Sequence, residues 1–167
     1  MTEAFELAHS PEPASWLETK LAPQCQRHPG LSGIHPLSDG LDAFAARYLL
    51  MQKAARSLDI QYYIWQNDLS GRLLFSAMLE AARRGVKVRL LLDDNNTPGL
   101  DDTLAQLNRH PNIEVRLFNP FSFRTLRALG YLTDFARLNR RMHNKSFTVD
   151  GVTTIVGGRN IGDEYFG

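Results

Sequence analysis

The chain has 167 residues, of which 43% are hydrophobic and 22% are charged, and its formal net charge is +1 at pH 7. These values are ordinary for a globular protein, and the length is sufficient for one domain with a buried core. A single cysteine excludes an intramolecular disulfide. No apolar run approaches the roughly 18 residues that a membrane-spanning helix needs, and the acidic, proline-broken start does not resemble a secretion signal.

Two parts of the chain differ in their patterning. Residues 1–37 contain prolines at five positions and show no sustained periodicity, so we predict an irregular leader. Within it, Trp16, Leu17 and Leu21 are spaced for one short docking helix. Residues 38–167 are predicted to form the domain itself, and we expect that domain to be cut short on its C-terminal side.

Regular periodicity begins at Leu41. Apolar spacing predicts helices over residues 41–56 and 73–84, and strands over residues 58–65 and 86–92. Thr97 and Pro98 resemble the N-cap and first-turn proline of a helix that runs to about residue 108, and residues 113–118 read as a third strand. Strands that alternate with helices through short links predict parallel pairing with right-handed crossovers.

Two acidic pairs follow the second predicted strand. Asp93 and Asp94 end an apolar strand, where carboxylates can hold magnesium, but anchoring of a loop and capping of a helix fit this pair better. Asp101 and Asp102 are placed to complement the dipole of the next helix from its first turn.

A hairpin is predicted near the C-terminus. Asp150-Gly151 separates residues 146–149 from residues 152–156, and both runs are rich in β-branched side chains, which favours a type I′ turn. With a two-residue loop, Gly158 would lie opposite His143. The hairpin would add antiparallel strands to the parallel ones. We therefore expect an α/β fold, an α-β-α sandwich with a mixed, mostly parallel sheet.

The alternation of side chains along this hairpin sorts its polar residues. His143 and Lys145 share a face with Asn160, whereas Asp150 points the other way and is expected to set the turn or brace the hairpin. An imidazole is a competent nucleophile near pH 7, and an ammonium and an amide N–H can hold phosphate oxygens as charge develops. A side-chain-free gap at Gly158 would let a phosphate approach. This combination suits attack on a phosphodiester.

The same residues carry a family resemblance. His143, Lys145 and Asp150 in the pattern H-x-K-x4-D, followed by G-G-x-N ending at Asn160, resemble the HKD signature of the phospholipase D superfamily. The usual form has Ser where this chain has Gly158, so one hydroxyl donor to phosphate is absent. The text around the motif, together with residues 58–63 and 90–94, is similar to the bacterial cardiolipin synthase branch.

The resemblance implies a two-step transfer through a phosphohistidine, in which a second HKD motif supplies the acid. His143, Lys145 and Asp150 would form the catalytic motif, and Lys145, Gly158 and Asn160 would hold the phosphate, with no metal and no cofactor. The implied partners are phospholipid at the membrane surface and a second HKD half, from downstream sequence or a homodimer; nucleic acid is disfavoured. The implied location is the cytoplasm, peripheral to the inner membrane. A phospholipase or nuclease of the same superfamily, and a non-catalytic fragment that folds or binds lipid, remain alternatives.

A basic stretch precedes the motif. Residues 120–145 carry six Lys and Arg residues against Asp134, and aromatic side chains are interleaved with the arginines over residues 120–142. This stretch is compatible with an interfacial lipid-binding segment, with a nucleic-acid groove and with an ordinary active-site loop.

Overall fold

The computed structural model describes residues 14–121 and 135–167. Their strands form one five-stranded sheet of order β3-β2-β1-β4-β5. Pairing is parallel from β1 to β2 to β3 and antiparallel from β1 to β4 to β5. The α/β class and the mixed sheet are therefore confirmed. The strands are β1 (Ser57–Tyr62), β2 (Lys87–Asp93), β3 (Ile113–Phe118), β4 (Ser146–Val149) and β5 (Thr153–Val156).

Helices flank this sheet. One helix connects β1 to β2 and a second connects β2 to β3, and both connections step in the same direction across the sheet. Right-handed connections of this kind place both helices on one face of the sheet. The helices of the described residues are α1 (Trp16–Arg27), α2 (Gly40–Lys53), α3 (Leu69–Arg83), α4 (Asp101–Leu107), α5 (Phe135–Leu138) and α6 (Asp163–Phe166). None of them is long and apolar enough to cross a membrane.

The hydrophobic core lies between the sheet and these helices. Leu58 and Ile60 of β1 are fully buried and pair with Val88 and Leu90 of β2, which are equally buried. Between them, on the other face, Asp59 of β1 forms an ion pair across the strands with Arg89 of β2. The period-two pattern therefore fixes which face of the sheet the helices cover.

The leader contains the predicted docking helix, α1. Ser15 and Glu18 form a capping box at its start, because each side chain accepts a hydrogen bond from the other residue's backbone N–H. Leu17 is buried in the core, and Glu18 forms an ion pair with Arg56 at 2.5 Å. The helix thus attaches the described part of the leader to the domain.

Two predicted helix starts are displaced. The α3 helix begins at Leu69 rather than near residue 73, because the carboxylate of Asp68 caps it by accepting from Gly71 N at 3.0 Å. The prediction that Thr97 is the N-cap of the next helix is wrong. Its hydroxyl donates to the Asp94 carboxylate at 2.9 Å, and α4 begins only at Asp101.

The hairpin turn is present as predicted. Val149 O accepts a hydrogen bond from Val152 N at 2.9 Å. Asp150 and Gly151 have φ of 54° and 69°, and a type I′ turn requires positive φ at both positions. Glycine and aspartate at the centre of the turn therefore account for the hairpin.

The ladder beyond the turn is shifted by one residue. Ser146 pairs with Val156, whereas a simple two-residue loop would pair it with the residue before. Val152 is the additional residue, a bulge between the turn and the ladder. The prediction that Gly158 lies opposite His143 is therefore wrong.

The last residues return to the end of β1. Ile161 pairs with Trp65, and its carbonyl accepts from Gln66 N at 2.9 Å. Asp163 then caps α3 by accepting from Ser70 N at 2.8 Å, and hydrogen bonds from the Ser70 side chain and backbone lower the pKa of its carboxyl group. A side chain at Gly162 would come within 2.7 Å of Gln66, so the close approach requires glycine.

Candidate active site

The candidate site lies at the carboxyl end of β1. Because β4 runs antiparallel to β1, with Gln61 opposite Ser146, the residues just before β4 reach that end. His143 and Lys145 immediately precede β4, and the return of the chain at Ile161 brings Asn160 to the same place. Three residues far apart in sequence from β1 thus meet at one end of it.

His143 and Lys145 are in direct contact. The Lys145 Nζ lies 3.2 Å from His143 Nε2 and 3.0 Å from the His143 carbonyl oxygen, to which it donates. The protonated ammonium can only donate, so Nε2 accepts and the proton of a neutral ring is then on Nδ1. His143 is exposed while Lys145 is buried. The nitrogen that carries the lone pair is therefore Nε2, and the lone pair becomes available for attack when the Lys145 ammonium turns from it to a phosphate oxygen.

The environment of Lys145 is suited to an anion. Burial lowers the pKa of its ammonium group, because desolvation disfavours the charged form. No carboxylate among residues 14–121 and 135–167 forms an ion pair with it. An incoming phosphate would restore the charge balance that the buried cation lacks.

Tyr63 completes this contact and was not identified from the sequence. Its ring centroid lies 4.8 Å from that of His143, and the Lys145 Nζ lies 5.4 Å from the same tyrosine centroid. Tyr63 directly follows the last residue of β1. The sequence does show a tyrosine directly after a predicted strand. Placing that tyrosine in the site requires knowing that β1 and β4 are neighbours in the sheet.

Asn160 is buried beside the same strand end. Its Oδ1 accepts from Ile64 N at 3.2 Å, one residue beyond Tyr63. This bond orients the amide, and of the two N–H groups on its Nδ2 one is used by the Tyr165 phenol and the other can donate to a ligand. Burial raises the pKa of the nearby Tyr165 phenol, and a hydrogen bond with Asn160 opposes that shift.

Gly158 lies outside β5 and is exposed. A Cβ at this position would meet no atom within 4 Å. Among the residues that the structure describes, no contact requires glycine at this position. The assignment of Gly158 to phosphate binding stays a prediction, and the register argument that supported it does not hold.

Asp150 lies at the opposite end of the hairpin. Its Oδ1 accepts from Arg56 N at 2.7 Å and from Ser57 N at 3.0 Å, and both oxygens accept from Ala55 N at 3.2 and 3.1 Å. Its own N–H donates to Ser57 O at 2.9 Å. The carboxylate therefore braces the start of β1, the structural role expected for it, and its assignment to the catalytic motif stays a prediction.

The remaining predictions have mixed outcomes. Asp93 and Asp94 anchor backbone segments, which is the role that the sequence favoured over magnesium binding. Separately, no cluster of metal-ligating side chains occurs among the described residues. Asp101 and Asp102 occupy the first turn of α4 as predicted. Half of the basic stretch, including Arg124 and Arg127, falls on residues 122–134, which lie outside the described residues, so its three interpretations stay open.

Comparison with known proteins identifies relatives of this chain. The family described as "Cardiolipin synthase, PLD-like domain" matches residues 49–167. Cardiolipin synthase C of Escherichia coli (strain K12) is 72% identical over 151 residues, which are 90% of this chain and 32% of that protein. The major cardiolipin synthase ClsA of Bacillus subtilis (strain 168) is 33% identical over 136 residues, 81% of this chain and 27% of its own length. The chain thus spans about a third of the length of these curated relatives.

Solved structures share the fold. NucT from Helicobacter pylori superposes with a TM-score of 0.56 at 20% identity, covering 76% of this chain and 72% of that one. Nuc from Salmonella typhimurium, a phospholipase D family member, gives 0.51 at 21% identity, covering 77% and 70%. At these identities the likeness supports the architecture alone.

Proposed function

We propose, since the chain belongs to the cardiolipin synthase family of phospholipase D-like domains, that it carries one half of the active site of a phosphatidyltransferase. His143 is the nucleophile, and Lys145 and Asn160 hold the phosphate. The observation that carries this proposal is the buried Lys145 ammonium 3.2 Å from the Nε2 of an exposed histidine. A lipid substrate is proposed because the relatives are cardiolipin synthases.

The first step forms a phosphohistidine. The Nε2 lone pair of His143 attacks phosphorus of a phosphatidyl donor, the N–P bond forms, and the P–O bond to the head-group alcohol breaks. A histidine of the complementary half donates the proton that the departing oxygen requires. Lys145 and the Asn160 amide compensate the charge that develops on the non-bridging oxygens.

The second step regenerates His143. The hydroxyl of an acceptor such as phosphatidylglycerol attacks phosphorus and passes its proton to the histidine of the complementary half, while the N–P bond breaks. The complementary half comes from the same protein or from a second copy. Since the donor and acceptor are membrane lipids, we place the site at the cytoplasmic surface of the inner membrane.

Product analysis with labelled phosphatidylglycerol in vesicles tests this function in the whole protein. We expect labelled cardiolipin and free glycerol, and an acid-labile label on the protein that disappears in His143→Asn. Labelled phosphatidic acid without cardiolipin would instead identify a hydrolase. Cleavage of plasmid DNA at a rate exceeding lipid turnover would identify a nuclease, and absence of any labelled protein with either substrate would contradict the nucleophile assignment.

A further inference from the structure

Two adjacent carboxylates at the end of β2 hold the chain on either side of residues 122–134. Asp93 and Asp94 are both fully buried. The Oδ2 of Asp94 accepts from Phe121 N at 2.8 Å, and the Oδ2 of Asp93 accepts from Met142 N at 2.8 Å. The pair therefore fixes the backbone on both flanks of that stretch to the same strand end.

The second of these attachments lies next to the nucleophile. Met142 is buried and directly precedes His143, while Lys145, two residues further on, is buried at the start of β4. His143 is exposed between them. On the C-terminal side the β1–β4 ladder fixes the backbone, and on the N-terminal side the hydrogen bond from Met142 N to Asp93 does so.

A buried ion pair reinforces this bond. Arg141 Nη1 donates to Asp93 Oδ1 at 3.0 Å, and Arg141 Nε donates to Leu138 O at 2.6 Å. The guanidinium also lies 5.1 Å from the centroid of the Phe121 ring. Removing either charge would leave the other buried and uncompensated, so the two residues are expected to act as a unit.

We propose that Asp93 is a positioning residue for His143: by holding Arg141 and Met142 N, it sets where the imidazole meets Lys145 and the phosphorus. The proposal rests on the proposed role of His143. Asp93 does not touch substrate. It acts through the two residues that precede the nucleophile.

Substitution by asparagine distinguishes the role of Asp93 from that of Asp94. The two oxygens of Asp93 accept from three donors, namely Asn95 N, Arg141 Nη1 and Met142 N. Asparagine replaces one acceptor by an NH2 group, so in either orientation a donor faces a donor. We expect Asp93→Asn to slow phosphohistidine formation roughly 30- to 100-fold, the size of effect that a misplacement near 1 Å produces.

Asp94→Asn is the matched control. Its Oδ2 can keep the bond from Phe121 N, and its new NH2 group can donate to the Thr97 hydroxyl, which both donates and accepts. Both described contacts survive, so we expect a change of less than about threefold. A second control, Leu90→Ala on the same strand, lowers the melting temperature through a core cavity and leaves the rate unchanged.

Single-turnover measurements in the whole protein test the proposal. With labelled phosphatidylglycerol, the rate of phosphohistidine formation should fall in Asp93→Asn while the half-saturating lipid concentration stays constant, a split that a general loss of stability would not produce. In parallel, the ring nitrogen resonances of ¹⁵N-labelled His143, assigned with His143→Asn, should broaden or shift in Asp93→Asn and remain in place in Asp94→Asn. If Asp93→Asn does not fold, Arg141→Lys should give an intermediate slowing, because lysine keeps the charge but lacks the planar fork by which Arg141 Nη1 and Nε reach Asp93 and Leu138 O.

The outcomes separate the two proposals. A wild-type rate in Asp93→Asn, or in Arg141→Lys if that variant replaces it, overturns the positioning role, while an inactive His143→Asn preserves the proposed function. If the wild-type protein forms no phosphohistidine, the proposed function fails. The His143 resonances then decide the positioning role, and unchanged resonances in Asp93→Asn overturn it.

Discussion

The two ends of strand β4 hold the two parts of one motif in contrasting environments. At one end the Asp150 carboxylate accepts hydrogen bonds from three consecutive backbone N–H groups. At the other end the Lys145 ammonium is buried, and its described contacts are the His143 ring nitrogen, the His143 carbonyl and the Tyr63 ring. The first end is electrostatically satisfied, and the second has no compensating anion among residues 14–121 and 135–167.

This difference separates stability from reactivity within a few residues of sequence. A buried carboxylate that accepts from three backbone N–H groups holds two strands together and serves the fold. A buried cation beside an uncharged nucleophile raises the energy of the free protein and lowers it again when an anion binds. Substitutions at the two ends should therefore have opposite signatures in stability and rate.

The largest effect is expected at the nucleophile. His143→Asn removes the atom that forms the N–P bond, so the transfer rate should fall by at least about 10⁴-fold. The side chain is exposed, so the melting temperature should stay near that of the wild type. Transfer assays and thermal unfolding measure the two quantities, and retained turnover in this variant would remove His143 from the mechanism.

Lys145→Met tests the unsatisfied cation. It keeps the aliphatic stem and removes the charge that faces developing negative charge, so we expect a loss of about 100- to 1,000-fold in rate. Because burial disfavours the ammonium, stability should be unchanged or higher. Rate and urea unfolding should thus move independently. A loss of stability that parallels the loss of rate would show that the ammonium serves the fold.

The two ends also differ in how far the sequence predicted them. Asp150-Gly151 is a local signal, because positive φ at two central positions needs particular residue types, and the structure has the predicted turn. The strands were also predicted from local patterns, and their predicted ranges lie within a few residues of the observed bounds. The α3 start moved because the cap, Asp68, is braced by contacts with the distant Asp163.

Contacts between strands and helices that are distant in sequence were not predicted. The bulge at Val152 shifts the ladder by one residue, and no single-residue preference marks it. Tyr63 became part of the site because β1 and β4 are neighbours. The bond between Asp93 and Met142 joins residues 49 positions apart. Each of these depends on strand order, which a single sequence does not encode locally.

Asp150→Ala tests the satisfied end. It leaves the N–H groups of Ala55, Arg56 and Ser57 without their carboxylate, and alanine is strained at a φ of 54°. We expect a loss of about 3 kcal/mol in the free energy of unfolding, with the rate per folded molecule within about threefold. Asp150→Asn is the matched variant, since asparagine tolerates this φ and keeps one acceptor, and it should lose less. An unchanged urea midpoint with a collapsed rate would reverse the contrast between the two ends.

The pH dependence of kcat/KM sharpens the comparison on the Lys145 side. Burial lowers the pKa of this lysine below its usual 10.5, so the free protein loses the ammonium at a lower pH than an exposed lysine does. The alkaline decline of kcat/KM, which reports the free protein, should therefore begin below that value. Lys145→Arg keeps its charge and should move the decline to higher pH even though its rate is lower. An identical decline in the two proteins would assign it to another group.

The smallest effect is expected at the ion pair that flanks the braced end. The Arg56 guanidinium, helped by the backbone of Ser15, lowers the pKa of Glu18 from 4.5 to about 2. Since the folded protein binds this proton less readily than the unfolded chain, the stabilisation is complete above pH 4.5 and is lost as the pH falls towards 2. Glu18→Gln should therefore lower the melting temperature slightly at neutral pH and flatten its acid dependence in that window, with the transfer rate unchanged. Glu114→Gln, in an exposed ion pair on β3, is the control and should leave the acid dependence as it is.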